Sequence, residues 1–149
     1  MHGVFPGSRD ELLAAARATP KIALARASEE MRRDRVIVLA AVSRNGQALQ
    51  YAAPELKADR EVVEAAVSNN GLALEHAASE FCTCFDIVWG AVSNNGLALR
   101  HASLDVRNSK DLVQVAVSNQ GRALRYASEA LRGDREVVLQ AVANDGLAL

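Results

Sequence analysis

Aromatic residues are scarce in this chain: Phe, Tyr and Trp together make up 4% of its 149 residues. This excludes a globular core built on aromatic rings, which bury large areas where they are abundant. Hydrophobic residues nevertheless reach 50%, mostly Ala, Val and Leu, and the chain is long enough to bury them in one domain. Side chains of this size predict thin helices in close contact.

Cysteine, net charge and long apolar runs are also in short supply. The two cysteines cannot form a disulfide framework, so a reducing compartment is expected, either the cytoplasm or the interior of an organelle. A net charge of −1 gives no general attraction to nucleic acid or to an anionic membrane. The longest apolar run, residues 36–42, is too short to span a membrane, and residues 1–8 have no apolar segment of the kind a signal peptide needs. These absences predict a soluble protein.

Repetition is what the sequence has in abundance. Residues 66–74 read Ala-Val-Ser-Asn-Asn-Gly-Leu-Ala-Leu and recur unchanged at 91–99. Variants occur at 41–49, 116–124 and 141–149, always 25 residues from the neighbouring copy. A fixed period of this size indicates a solenoid. We predict an all-α, right-handed solenoid of short αα or α/3-10 repeats. It would follow a tail at residues 1–8 and consist of units at about 9–33, 34–58, 59–83, 84–108, 109–133 and 134–149, the last one truncated.

Within unit 3 the apolar residues have helical spacing. They are Val62, Val63, Ala66 and Val67. Asp59 is placed to cap this helix, and Gly71 is placed to end it as a left-handed residue. A second helical or 3-10 segment follows, with its apolar face at Ala73, Leu74, Ala77 and Phe81. Since isolated helices of this length are marginal in water, stacking of the units must stabilise both segments.

Equivalent positions in successive units keep their residue type. Two columns of valine and one of leucine are predicted to form the core: Val38, Val63, Val88, Val113 and Val138; Val42, Val67, Val92, Val117 and Val142; and Leu24, Leu49, Leu74, Leu99, Leu124 and Leu149. A fourth column holds Asn69, Asn94, Asn119 and Asn144. These side chains are predicted to bind backbone groups at the turns, as a ladder.

The repeated motif is Asp-Arg-Glu-Val-Val-x-x-Ala-Val-x-x-Asn-Gly-x-Ala-Leu-x-x-Ala-Ser, matched best at residues 59–63 with 70–71 and at 134–138. It resembles a tandem-repeat family known only as a domain of unknown function, which is found in bacterial and protist proteins, algal ones included. The resemblance covers residues from about 9 to 149, and Cys84 and Phe85 depart from its Asp-Arg pair. It implies no activity and no catalytic residues. The family's presence in algae makes a photosynthetic or organellar complex one candidate setting.

The junction between units 3 and 4 breaks the pattern. Cys82 and Phe85 stand where other units have Lys or Arg, and Trp89 stands where they have Leu, Glu or Gln. Because exposed aromatic residues concentrate the binding energy of protein interfaces, we predict a partner-binding surface made of Phe81, Cys82, Phe85 and Trp89. The alternative is that these side chains fold inward and fill a local gap.

A further column consists of Tyr51, His76, His101 and Tyr126. Because both residue types in it, tyrosine and histidine, are amphipathic, we predict that these side chains line a half-buried groove. Two histidines one repeat apart are separated by about 10 Å, too far to share a metal ion. Cys82, Cys84 and His76 lack a fourth ligand, and the cysteines are closer in sequence than zinc-binding pairs usually are. No metal site and no cofactor is therefore expected.

Taken together, these features favour a noncatalytic scaffold for protein–protein interaction. An enzyme is not expected, because the chain lacks a Gly-rich phosphate loop, a serine elbow and any carboxylate pair outside the repeating columns. One alternative is an accessory, stabilising subunit of a larger complex, photosynthetic or organellar. Under either interpretation, the C-terminal end, which stops within unit 6, is expected to be covered by further chain or by another subunit.

A second alternative is an RNA-binding helical repeat that uses the columns of basic residues, such as Arg35, Arg60, Lys110 and Arg135. The acidic column and the near-neutral total charge disfavour nucleic acid. That acidic column consists of Glu30, Glu55, Glu80 and Asp105.

Overall fold

The computed structural model describes residues 7–146, and all regular structure in that range is helical, as predicted. Within the same range no helix combines the length and the apolar character that crossing a bilayer requires. The predictions for most of the N-terminal tail, for Leu149 and for the covering of the C-terminal end lie outside the described residues.

Each unit opens with an α-helix, called here its long helix. The long helices of units 1 to 6 are Arg9–Ala18, Arg35–Val42, Arg60–Asn69, Phe85–Asn94, Lys110–Asn119 and Arg135–Asn144. Asp59 caps its helix as the sequence predicts, because its Oδ1 accepts the N–H of Val62 at 3.1 Å. Ser8, Asp34, Ser109 and Asp134 cap the long helices of units 1, 2, 5 and 6 in the same way.

Two shorter elements complete each of units 1 to 5. The second element is a 3-10 helix in units 2 to 5, at Gly46–Tyr51, Gly71–His76, Gly96–His101 and Gly121–Tyr126, and an α-helix in unit 1, at Pro20–Arg26. The third is a single helical turn, at Glu29–Arg32, Pro54–Lys57, Ser79–Cys82, Val106–Asn108 and Glu129–Arg132. The sequence predicted one continuous second segment. In unit 3 that segment is interrupted at Ala77, whose extended backbone (φ −72°, ψ 159°) moves Phe81 into the third element.

Like elements stack on like elements. Each long helix contacts the long helix of the next unit, and the second elements form a parallel row against each other, which is the arrangement of a solenoid. Up to unit 5 the predicted valine and leucine columns are buried between the two rows, and Val63, Leu74, Val88 and Leu99 are fully buried, whereas Val138 and Val142 of unit 6 are half-buried. Burial of each such side chain contributes roughly 1.5–3 kcal/mol, so the core outweighs any surface ion pair. The right hand of the solenoid stays a prediction.

The repeated glycine has a different role from the predicted one. No glycine in residues 7–146 has a positive φ, so Gly71 does not end the long helix as a left-handed residue. The helix ends at Asn69, the next residue Asn70 has an extended backbone, and Gly71 begins the following 3-10 helix. A Cβ on Gly71 would lie 2.1 Å from the carbonyl oxygen of Ala91 in the next unit. Glycine is therefore required because two backbones approach each other closely.

The asparagine ladder is confirmed. Asn94, at the end of the long helix of unit 4, reaches back to unit 3: its Nδ2 donates to the carbonyl of Ser68 at 2.9 Å, and its Oδ1 accepts the N–H of Gly71 at 2.7 Å. Equivalent donations to a serine carbonyl are made by Asn69, Asn119 and Asn144. Each asparagine thus joins two units at the point where the glycine approaches the next helix.

Candidate functional site

A ladder of charges runs along the starts of the long helices. The basic residue that opens one helix pairs with the capping aspartate of the next unit, as Arg35 does with Asp59 (2.9 Å) and Lys110 with Asp134 (3.0 Å). Hydrogen bonds from these cations hold the pKa values of Asp59 and Asp134 below the usual value. The basic residues Arg9, Arg35 and Lys110 therefore pair with the helix caps of the following unit.

The same cations reach a second carboxylate, two residues after the cap. Arg35 also contacts Glu61, and the Nζ of Lys110 lies 2.8 Å from Glu136. Each complete rung of the ladder therefore consists of one cation between two carboxylates of the following unit.

This ladder is interrupted on both sides of unit 4. Its helix cap is Cys84, whose side chain accepts no hydrogen bond from the helix. Arg60 lies 3.7 Å from the Cys84 sulfur and 3.6 Å from Asp86, and its shorter ion pair, at 2.7 Å, is with Glu64 of its own helix. The helix then opens with Phe85 in place of a cation. Asp111, the carboxylate that this cation would reach, has no ion-pair partner within residues 7–146.

Phe85 and Trp89 lie on the solvent side of the long helix of unit 4. Their side chains are 44% and 36% exposed, and because they are four residues apart on one helix their rings meet, with centroids 5.6 Å apart and planes inclined by 38°. The alternative prediction, in which Phe85 and Trp89 fold inward to fill a gap, is therefore wrong for these two residues. They form what we call the aromatic pair.

Phe81 is a correction to the predicted surface. It is only 6% exposed and belongs to the core, where it continues a column of apolar residues. That column also contains Met31, Leu56, Val106 and Leu131, and it was visible in the sequence as the signal that Phe81 is buried. Cys82 is half-buried, burial raises the pKa of its thiol, and its carbonyl accepts the N–H of Ser103 at 2.8 Å. The exposed part of the predicted surface is therefore the aromatic pair.

A hollow lies on each side of the unit 4 helix. The larger one, about 530 Å³, lies between Trp89 and the long helices of units 5 and 6, and we call it the Trp89 groove. It is lined by Trp89, Asp111, Gln114, Val115, Ser118, Asn119 and Gln140. The smaller hollow, about 210 Å³, faces unit 3 and is lined by Gly90, Glu64, Asp86 and their neighbours. A Cβ on Gly90 would meet no atom within 4 Å, so its glycine leaves this side open.

A single family model matches the chain five times in tandem, at residues 12–57, 37–82, 59–107, 84–132 and 109–149. The matches together cover nearly the whole sequence, and their description is Domain of unknown function (DUF4116). The chain belongs to this family. No curated protein and no solved structure matches it. Each DUF4116 match spans about two of the structural units, in keeping with units that are stable only when stacked.

The predicted groove residues end the second elements of successive DUF4116 units and are all half-buried: Tyr51, His76, His101 and Tyr126. His76 bonds Gln47 through its Nε2 at 2.9 Å, and His101 lies 3.9 Å from Glu75. Burial lowers the pKa of both histidines, which favours neutral rings at pH 7. The predicted groove residues belong to the second elements and the aromatic pair belongs to a long helix, so they form separate surfaces.

No metal-binding cluster of three or more His, Cys, Asp or Glu occurs within residues 7–146.

Restoring the missing cap should stabilise unit 4. In Cys84→Asp the new carboxylate is placed to accept a backbone N–H, as Asp59 does, and to pair with Arg60. We expect the free energy of unfolding in urea to rise by roughly 0.5–1.5 kcal/mol at pH 7. The gain should be lost as the pH falls below about 4, because a carboxylate whose folded-state pKa is depressed loses its contribution on protonation.

Cys84→Ala is the control for this prediction, since it removes the thiol and supplies no acceptor. An equal gain in Cys84→Asp and Cys84→Ala would show that loss of the sulfur, rather than gain of the cap, stabilises the helix.

Proposed function

We propose that this chain is a noncatalytic scaffold that binds a protein partner through the aromatic pair of unit 4. One observation carries the proposal: in a row of helices whose other starts are joined by ion pairs, one helix presents two exposed aromatic rings in contact with each other. Large aromatic side chains surrounded by polar residues commonly anchor protein interfaces, because they bury much surface area at little cost in side-chain entropy.

The surroundings of the aromatic pair suit an anchor site. Trp89 forms one wall of the Trp89 groove, whose other walls are mostly amide and hydroxyl side chains from units 5 and 6. Stacking of the units holds these walls in a fixed relation, so little ordering is needed when a partner binds. A rigid groove beside exposed rings is therefore available without rearrangement of the solenoid.

The RNA-binding alternative loses support from the charge ladder. Arg35 and Lys110 are already held by two carboxylates each, and a phosphate group would have to displace both.

The accessory-subunit alternative uses the same aromatic pair as its contact surface, but the complex with the partner would be permanent. Recovery of the chain in one stoichiometric complex would favour that alternative over a scaffold with exchanging partners.

The test converts the aromatic pair to residues found in the same columns of other units. A double variant, Phe85→Arg with Trp89→Glu, should reduce capture of specific partners by the tagged chain at least tenfold. Capture is measured by quantitative mass spectrometry from an extract of the source cells. Circular dichroism should show unchanged helix content, because both rings lie outside the core.

Leu139→Glu provides the control. Leu139 occupies the same column as Trp89 in unit 6 and is 59% exposed, so the variant introduces the same charge on an apolar residue away from the site. Capture by this variant should equal that of the unaltered chain. If the double variant retains its partners, the aromatic pair is not the binding surface.

A further inference from the structure

Asp111 lacks the cation that its position has in other units. In the complete rungs the cation at the helix start contacts a carboxylate 26 residues later, as Arg35 contacts Glu61 and Lys110 contacts Glu136. Phe85 is the residue at that distance before Asp111. Asp111 is therefore an exposed carboxylate with a vacant cation position, and that position adjoins the aromatic pair.

No cation within residues 7–146 takes the vacant place. The Trp89 groove is lined by one carboxylate, one large aromatic ring, amides and hydroxyls, and none of its lining residues is Lys or Arg. The hollow on the other side of the helix adds Glu64 and Asp86, again without a lining cation. Carboxylates therefore lie on both sides of the unit 4 helix, but Glu64 and Asp86 pair with Arg60, whereas Asp111 has no ion-pair partner within residues 7–146.

We propose that the partner is a protein segment with an exposed arginine, whose guanidinium stacks on Trp89 and pairs with Asp111. This inference rests on the proposed function and names the chemistry of the partner. A guanidinium is planar and weakly hydrated, so one group can cover an aromatic face and also donate hydrogen bonds to a carboxylate. The Asp111 carboxylate, which lines the groove with Trp89, would repel a phosphate backbone, and this favours a basic protein segment over a nucleic acid.

Two variants separate the parts of this site. Asp111→Asn removes the charge and keeps the shape. Phe85→Arg leaves Trp89 in place and supplies a guanidinium of the chain itself to Asp111, in competition with that of the partner. Each should weaken binding of an arginine-bearing segment roughly tenfold. Leu104→Arg is the matched control, because it adds the same charge at a residue that is 75% exposed and outside the Trp89 groove.

The experiment begins with selection of peptides from a random-peptide display library on the full chain, with the Phe85→Arg, Trp89→Glu double variant as the counter-selection. An enriched peptide is synthesised without tryptophan, once with arginine and once with citrulline, its neutral analogue. Trp89 is the only tryptophan of the chain, so its fluorescence reports binding at the site directly. The arginine peptide should bind roughly tenfold more tightly than the citrulline peptide at low salt, and Asp111→Asn should reduce that difference to the part contributed by the cation–π contact with Trp89.

The outcomes distinguish this inference from the function on which it rests. Enriched peptides rich in arginine, with a preference that depends on Asp111, support both. Enriched peptides without a basic residue, or a single-stranded oligonucleotide that quenches Trp89 while peptides do not, overturn the inference. The first of these two results leaves the interaction surface standing. Failure to enrich any peptide over the double variant counts against the surface and the inference together.

Discussion

Replacing Gly71 by alanine is expected to lower the free energy of unfolding by about 3 kcal/mol or more, the largest effect predicted for a single substitution in this chain. The added methyl group would lie 2.1 Å from the carbonyl oxygen of Ala91 and 3.0 Å from its carbonyl carbon. These are backbone atoms of a packed helix and cannot move aside as the end of a long side chain can. Units 3 and 4 would have to separate, with loss of contact between their buried valine and leucine columns.

Gly90→Ala is the matched control, since it makes the same chemical change in the next unit. Gly90 lies inside the long helix Phe85–Asn94 with no atom near its Cβ position. Alanine there should raise the free energy of unfolding by roughly 0.5–1 kcal/mol, because it restricts the unfolded chain and clashes with nothing. Urea denaturation followed by ellipticity reports on all units, and Trp89 fluorescence reports on unit 4. A Gly71→Ala chain as stable as the unaltered one would refute the role of close approach.

Gly71 and Gly90 are expected to respond oppositely to alanine, and this difference shows which features the sequence can predict and which it cannot. The period, the helical spacing and the buried valine and leucine columns follow from the sequence alone, because each depends on which residue types recur. The reason for Gly71 does not follow from it. A glycine after a helix serves equally well for a left-handed backbone or for a close contact, and only the position of Ala91 in the next unit decides between them.

The candidate site shows a similar division. The substitutions at Phe85 and Trp89 identified unit 4 from sequence, because a repeat makes its exceptions visible. The missing cation partner of Asp111 could not be predicted from the sequence. Predicting it requires the structural fact that the first residue of one long helix contacts the second residue of the next unit's long helix. Phe81 was misassigned for another reason: its aromatic ring attracted attention, although every other member of its column is apolar and the column as a whole indicated burial.

Asn94→Ala is expected to lower the free energy of unfolding by about 2 kcal/mol, although the residue lies at the end of its helix rather than in the core. The substitution deletes both hydrogen bonds that join units 3 and 4 at this point. The carbonyl of Ser68 can be hydrated, because Ser68 is exposed. Gly71 is buried, so its N–H loses its partner without gaining water, and an unsatisfied buried donor costs roughly 1–3 kcal/mol.

Arg44 offers the control for this prediction, because it occupies the asparagine column in unit 2, is exposed, and has no hydrogen-bonded side chain among the described residues. Arg44→Ala should change the free energy of unfolding by less than about 0.5 kcal/mol in the same urea titration. Hydrogen exchange adds a local measurement, since the Gly71 amide should lose protection in Asn94→Ala more than amides of units 1 and 2 do. Equal changes in the free energy of unfolding for Asn94→Ala and Arg44→Ala would mean that buried side chains alone hold the units in register. The asparagine hydrogen bonds would then contribute nothing measurable to stability.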